Sequence, residues 1–345
     1  MEVARSELKA WARENMKGIE NCIFPSFTPD LRQLDEDGIR WDVQMSIKHG
    51  FTSTLVTTET GLTFEEAKRL LAIVADEAKG KINVSTTVLF DSFEENIEFL
   101  KHAEKVGAHC AMIGYPTTFY PHSEDEIFEA TKAMCDASNL AIMAYATHKY
   151  NFERLHCSGF PLGLLRRIAE IDSVVAFKAA ILEPGFLYEI FNRCGDLVLV
   201  QCPWDRWLPI LISQYHQQCM GAGAYEAFQS PEKPYLTKMF DLMLKGQWDE
   251  AMDIYWMLTP ARLVFEKQFM PTQQIGTYHW PQQKYYQWLV GGNGGWTRQP
   301  SMKLYQHDME ESKNALRAIG ITPREPDDEF YVGRLNYAKM HRREV

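Results

Sequence analysis

The chain has 345 residues, 46% hydrophobic and 24% charged, enough to bury a large core in one big domain or two. Its 36 Lys and Arg stand against 46 Asp and Glu, a formal charge of −10, which leaves no basic face for nucleic acid or an anionic membrane and points to soluble small-molecule chemistry. The seven cysteines form no C-x-x-C pair and the charged start "MEVARSELKAWARENMKG" lacks an apolar signal core, so reduced, mostly buried thiols in a cytoplasmic protein without a membrane span are expected.

Eight apolar, strand-like runs follow in chain order: "CIFPSF" from 22, "STLVTT" from 53, "INVSTTVLF" from 82, "CAMIGYP" from 110, "AIMAYAT" from 141, "VVAFKAA" from 174, "LVLVQCP" from 197 and "GAGAYEA" from 221. Their starts lie about 23 to 33 residues apart, the length of one strand plus a crossover helix. Thr63, Ser92 and Ser123 each have a Glu three residues on (Glu66, Glu95, Glu126), and Gly80 and Gly107 follow the first two of these segments, so the spacing predicts capped helices between the strands. Runs too apolar to be half-exposed, in eight βα repeats, predict an α/β protein of the (β/α)8 TIM-barrel class. No strand is followed by a phosphate-binding glycine motif, which argues against a doubly wound nucleotide fold. We read residues 1–231 as the barrel with a helical lead-in and 232–345 as a helical C-terminal extension broken at Gly246. "VGGNGGWTRQP" (290–300) reads as a structural turn rather than a phosphate cradle, and the polar last two dozen residues as an arm packed on a neighbour or partly disordered.

Chemistry is expected at the C-terminal ends of the strands. "VVAFKAA" sets Lys178 inside a buried run, with Ala176 and Ala180 on its face. A buried ammonium is costly, so such a lysine either pairs with a buried carboxylate for structure or gives up its proton and attacks a carbonyl. One strand earlier, alternation puts Met143, Tyr145 and Thr147 on one face, from which the Tyr145 phenol could meet Lys178 and move protons. His122 and His148 fall just past strands four and five, as imidazole acid-base groups or ordinary surface histidines. Glu59 follows the second strand as a base or a turn cap. Trp204, Trp207, Tyr225 and Phe228 gather after strands seven and eight, where they line a pocket for a bulky substrate or fill helix–barrel packing. No His, Cys, Asp or Glu cluster has metal-ligand spacing, and no cofactor is called for.

At "FPSFTPD", "HGFTSTLVTTETGLTFEEAKRLL", "AEKVGAHCAMIGYP", "AIMAYAT" and "VVAFKAA", in this order, the sequence resembles the dihydrodipicolinate synthase and N-acetylneuraminate lyase superfamily of class I aldolases over roughly residues 18–250. The resemblance implies a homotetrameric or homodimeric barrel in which Lys178 binds a 2-oxo acid, often pyruvate, as an imine and Tyr145 relays protons. It implies a carboxylate clamp from Thr57, Thr58 and Thr60, though "TTETG" departs from the family's G-T-T-G-E. "PTTFYP" lacks the family's second relay tyrosine at its place, leaving Tyr120 nearby, and the arginine that synthases keep shortly after the catalytic tyrosine is absent from "YATHKY", which argues against lysine biosynthesis. The expected function is a Schiff-base lyase making or cleaving a C–C bond next to a 2-oxo acid, with a bulky or aromatic aldehyde partner and no metal. The alternatives are a dehydratase of a 2-oxo-3-deoxy sugar acid and a ligand-binding relative that has lost catalysis.

Overall fold

In the computed structural model of the protein, which describes residues 3–274, 279–298 and 304–342, eight strands alternate with helices. The strands are β1 (Gly18–Ile23), β2 (Ser53–Val56), β3 (Asn83–Val88), β4 (Cys110–Ile113), β5 (Ala141–Thr147), β6 (Val174–Ala180), β7 (Leu199–Gln201) and β8 (Cys219–Met220). After a leading helix α1 (Leu8–Asn15), helices α2 (Glu36–Lys48), α3 (Phe64–Ala78), α4 (Phe93–Val106), α5 (Glu124–Asp136), α6 (Leu162–Glu170), α7 (Pro184–Cys194) and α8 (Leu208–Tyr215) follow β1 to β7 in turn. The sheet order is β7-β6-β5-β4-β3-β2-β1-β8, and the fold is a (β/α)8 TIM barrel. Beyond it come α9 (Tyr235–Leu244), α10 (Trp248–Met257), α11 (Thr259–Gln274), α12 (Trp280–Leu289), α13 (Gln306–Ala318), α14 (Asp328–Val332) and α15 (Arg334–His341). The chain forms two compact units, Met1–Ile19 with Asn83–Gly221 and Glu20–Ile82 with Ala222–Val345.

The first unit holds β3 to β7, paired in parallel, and the start of β1 against β8, with Gly18 opposite Cys219. Every residue of β5 and β6 is buried, as expected for a parallel strand covered on both faces. Its helices begin as their sequences ask: the hydroxyls of Ser92 and Ser123 accept from the amides of Glu95 and Glu126. Glu126 does not close a capping box, because its carboxylate takes the His122 amide instead, at 3.0 Å. Gly107 ends α4 at φ +89°, a left-handed conformation that favours glycine.

In the second unit β1 and β2 pair from Glu20 opposite Ser53 to Ile23 opposite Val56, and Thr63 with Glu66 makes a complete capping box on α3. Two strand expectations need correction. β1 starts at Gly18, four residues before the apolar run that announced it, because its first half carries Glu20 and Asn21, buried polar residues that no hydrophobic pattern marks. β8 is two residues long and ends before "GAGAYEA", whose Tyr225–Phe228 coils into a 3-10 turn. Part of the C-terminal arm packs on its own unit: Phe330 of α14 is buried against Tyr285 and Trp288 of α12, and Tyr337 and Ala338 of α15 are buried, whereas residues 339–342 are exposed. The glycine-rich turn is packed too. Its Asn293 amide donates to Asp42 at 2.6 Å, and a Cβ on Gly294 would come 2.7 Å from the Phe330 carbonyl oxygen. Gln299, Pro300 and the last three residues lie outside the described residues. No helix among the described residues is long and apolar enough to cross a membrane. All seven cysteines are free, and only Cys157 is exposed.

Candidate active site

In the first unit, β5 and β6 align so that Tyr145 stands directly opposite Lys178, Met143 opposite Ala176 and Thr147 opposite Ala180. Paired residues of parallel neighbours point to the same face, so the small side chains leave the lysine and the tyrosine as that face's chemical groups. Lys178 is 6% exposed and Tyr145 2%. The Lys178 Nζ lies 5.2 Å from the centre of the Tyr145 ring, within reach of the aromatic face. Lys149 Nζ lies 5.8 Å from the same ring, a second positive charge near the phenol.

Two neighbours of this pair were not singled out in the sequence. Tyr150, buried just past β5, sets its ring edge-on to Tyr145 at 6.4 Å and to Tyr115 at 5.0 Å. Its hydroxyl sits over Gly114, where an added Cβ would come within 2.4 Å of it; only glycine leaves room for that phenol. The signal was the glycine after β4 together with the tyrosine after β5. Gln201 is opposite Lys178 on β7. Its Nε2 reaches Met143 Sδ, and its buried Oε1 has no hydrogen-bond partner among the described residues. An unmet buried acceptor costs about 1–3 kcal/mol, which a donor supplied by water or ligand would recover. Cys202 next to it is wholly buried; burial pushes its thiol up to about 12, with the Trp204 backbone hydrogen bond only partly opposing, so it stays protonated and a poor nucleophile. Tyr115 donates to or accepts from Thr131 at 2.6 Å, and burial pushes its phenol well above the ordinary range.

The other expected residues of this unit are dispersed. Tyr120 is 61% exposed with the Arg154 guanidinium 3.7 Å from its ring centre, and His122 lies edge-on to it. His148 rests its ring on Gly159 and its Nδ1 is 3.3 Å from Glu153 Oε1, so it is held by a neighbour within its own loop. Trp204 is buried after β7, its carbonyl accepting from the Trp207 amide.

In the second unit, Thr57, Thr58 and Thr60 are buried. Thr57 Oγ1 donates to the Ile23 carbonyl and Thr60 Oγ1 to the Thr57 carbonyl, each at 3.0 Å, so these two hydroxyl protons hold the loop; a carboxylate would have to win them from the backbone. The Glu59 carbonyl accepts from Trp280 Nε1 at 2.9 Å. Phe228 is wholly buried edge-on against Phe265 of α11. Tyr225 is also buried. Between them Glu226 accepts from Asn21 at 2.8 Å and from Gln287 at 3.2 Å. A second buried lysine, Lys284 of α12, donates to the Pro25 carbonyl at 2.6 Å and to Ser26 Oγ at 2.8 Å.

The model of the dihydrodipicolinate synthetase family matches residues 15–255. Among curated proteins the chain is similar to a 4-hydroxy-tetrahydrodipicolinate synthase of Archaeoglobus fulgidus, 26% identical over 88% of this chain and 99% of the relative. Among solved structures it is similar to N-acetylneuraminate lyase from Fusobacterium nucleatum, with a TM-score of 0.73 at 20% identity over 88% of this chain and 99% of the other. It is likewise similar to YagE, a prophage protein of the dihydrodipicolinic acid synthase family from E. coli K12 in complex with pyruvate, with a TM-score of 0.73 at 19% identity over 88% and 99%. The chain belongs to the dihydrodipicolinate synthetase family, an enzyme family of lyases and synthases.

Proposed function

We propose that the protein is a Schiff-base lyase in which Lys178 carries a 2-oxo acid such as pyruvate as an imine and makes or breaks the C–C bond beside it. The observation that carries this reading is the direct pairing of Lys178 with Tyr145 on one buried face. The neutral amine attacks the C2 carbonyl; the carbinolamine hydroxyl takes a proton from the Tyr145 phenol and leaves as water, giving a protonated imine and a phenolate. The imine draws electrons from C3, so the phenolate removes a C3 proton to give an enamine whose carbon attacks an aldehyde; the phenol then protonates the new alkoxide, and water, giving a proton back to the phenolate, hydrolyses the imine and returns the free lysine. Tyr150 is the second phenol of this relay, while Tyr120, which lies near the place where the family's second tyrosine is missing, is exposed. The unpartnered Gln201 oxygen accepts a donor from the bound substrate or its water. The rings around Tyr145 suit a bulky or aromatic aldehyde, so aromatic aldehydes should consume pyruvate faster than glyceraldehyde does.

The test is borohydride reduction in the presence of pyruvate. One reduced pyruvate should add per chain, and peptide mapping should place it on Lys178 and not on exposed lysines, whose protonated amines react poorly near their ordinary pKa of about 10.4. An adduct on another lysine, or none with a panel of 2-oxo acids on folded protein, would remove the Schiff-base reading.

A further inference from the structure

The C-terminal helices of the second unit enclose a cleft of about 520 Å³ whose floor includes Leu289, Val290 and Ile321 and whose walls carry Lys233, Arg324 and Arg334. That volume suits a small molecule. We propose that this cleft binds a small oxyanion, a phosphate or carboxylate group, in the fork of Arg334.

The side chain of Arg334 is only 12% exposed, yet it donates no hydrogen bond among the described residues, and its Nε is buried. Its nearest carboxylate is Glu329, at 3.6 Å, too far for a hydrogen bond. Glu329 is already taken: Arg324 grips it through Nε and, at 2.7 Å, through Nη2, while Trp288 Nε1 donates to it at 3.1 Å. Asp42, the other acid that attracts Arg334, accepts from the Asn293 amide and faces the Lys284 ammonium. The remaining carboxylates are similarly engaged, Glu325 by Arg317 at 2.7 Å and Glu232 by Ser230 Oγ at 3.0 Å, and Lys233 Nζ donates to the Gly320 carbonyl. The lining of the cleft itself holds three cations, Lys233, Arg324 and Arg334, against the two carboxylates Glu232 and Glu325. Repulsion from Arg324 adds to burial in destabilising the Arg334 charge. A guanidinium with idle donors, at the wall of an open polar cleft with one positive charge in excess, matches an oxyanion in geometry and sign. A carboxylate or phosphate entering there accepts from Arg334 and neutralises the excess.

Calorimetric titration of the full chain with inorganic phosphate and with succinate, at ionic strength held constant with NaCl, tests this. Either anion should bind with Kd below about 1 mM, and the tighter of the two identifies the source chemistry. Arg334→Met should weaken binding at least about tenfold, and Arg334→Lys, which keeps the charge but loses the fork, should fall between. Thr322→Glu changes an exposed residue of the cleft wall and sets a carboxylate beside the guanidinium; it should weaken binding to the same degree without lowering the melting temperature. Pyruvate trapping should be unchanged in all three. Binding of both anions weaker than about 10 mM, or unaltered by both Arg334→Met and Thr322→Glu, overturns the proposal.

Discussion

Two of the protein's buried lysines, Lys178 and Lys284, share almost nothing but their burial. Lys284 lies in α12, every residue of which from Pro281 to Leu289 is buried. Its ammonium is saturated by fixed neighbours, the Pro25 carbonyl and Ser26 Oγ, with Asp42 as counter-charge. Burial lowers its pKa and Asp42 raises it, and the same burial raises the pKa of Asp42. Lys178 lies in a strand, flanked on its face by Ala176 and Ala180 and faced by a phenol. Burial alone does not make a nucleophile. An ammonium tied to two acceptors and a carboxylate is a cross-link; under the proposed function the Lys178 amine instead meets a carbonyl carbon.

The largest effect that would break this contrast is loss of the Lys178 amine. Lys178→Ala should abolish imine trapping and lower turnover by at least about 10³-fold, with the fold intact by circular dichroism. Lys178→Arg should do the same, because a guanidinium does not shed its proton. Turnover surviving in both would leave Lys178 with a structural role like that of Lys284. Next in size is Tyr145→Phe, which keeps the ring packing and removes the hydroxyl; kcat should fall by about 10²- to 10⁴-fold. Tyr150→Phe should cost less, and an inverted order would move the main relay to Tyr150.

Lys284→Met sharpens the comparison from the other side. Removing the ammonium leaves Asp42, Ser26 and the Pro25 carbonyl buried without it, which should cost about 3 kcal/mol in urea unfolding. Borohydride should still trap pyruvate on Lys178 at temperatures where the variant is folded. Equal stability of variant and wild type would show that the amine does not hold this core together.

The two lysines also differ in how plainly the sequence shows them. "VVAFKAA" and "AIMAYAT" match β6 and β5 residue for residue, because strands buried on both faces leave an unbroken apolar run in which one charged residue stands out. Alternation alone puts Lys178 and Tyr145 on facing sides of their strands, while the register that sets them opposite each other comes from the strand pairing. "QQKYYQWL" gives the opposite impression: its polar residues spell a surface helix, but Gln282, Gln283, Lys284 and Gln287 are buried, and Gln282, Lys284 and Gln287 find partners in Ser312, Ser26 and the backbone of β1. Periodicity reports apolar burial and is blind to a core made of hydrogen bonds. The early start of β1 escaped for the same reason, since Asn21 is spent on Ser46 and Glu226. The Thr57 and Thr60 hydroxyls fall in the same class, legible as polar residues after a strand but not as donors already given to the backbone.

Glu226 carries the smallest prediction and probes that polar core directly. It is wholly buried, and although Asn21 and Gln287 donate to one of its oxygens, Oε2 is buried with no hydrogen-bond partner among the described residues. Burial pushes its carboxyl up to about 7 from 4.5, the Asn21 and Gln287 hydrogen bonds only partly opposing. Since the folded state holds the proton more tightly than the unfolded one, folding takes up a proton between those two values. Stability is therefore highest below about 4.5 from this group's standpoint, falls as pH rises, and levels off above about 7. Glu226→Gln keeps the acceptor for Asn21 and Gln287 and cannot ionise. At pH 5 it should unfold within about 1 kcal/mol of the wild type, and at pH 8 it should be the more stable by about 2 kcal/mol, below the ceiling of about 3 kcal/mol set by roughly 1.4 kcal/mol for each pH unit between 4.5 and about 7. Urea unfolding at the two pH values decides it: a difference that does not change with pH would mean that Glu226 ionises in the folded protein as easily as in the unfolded chain.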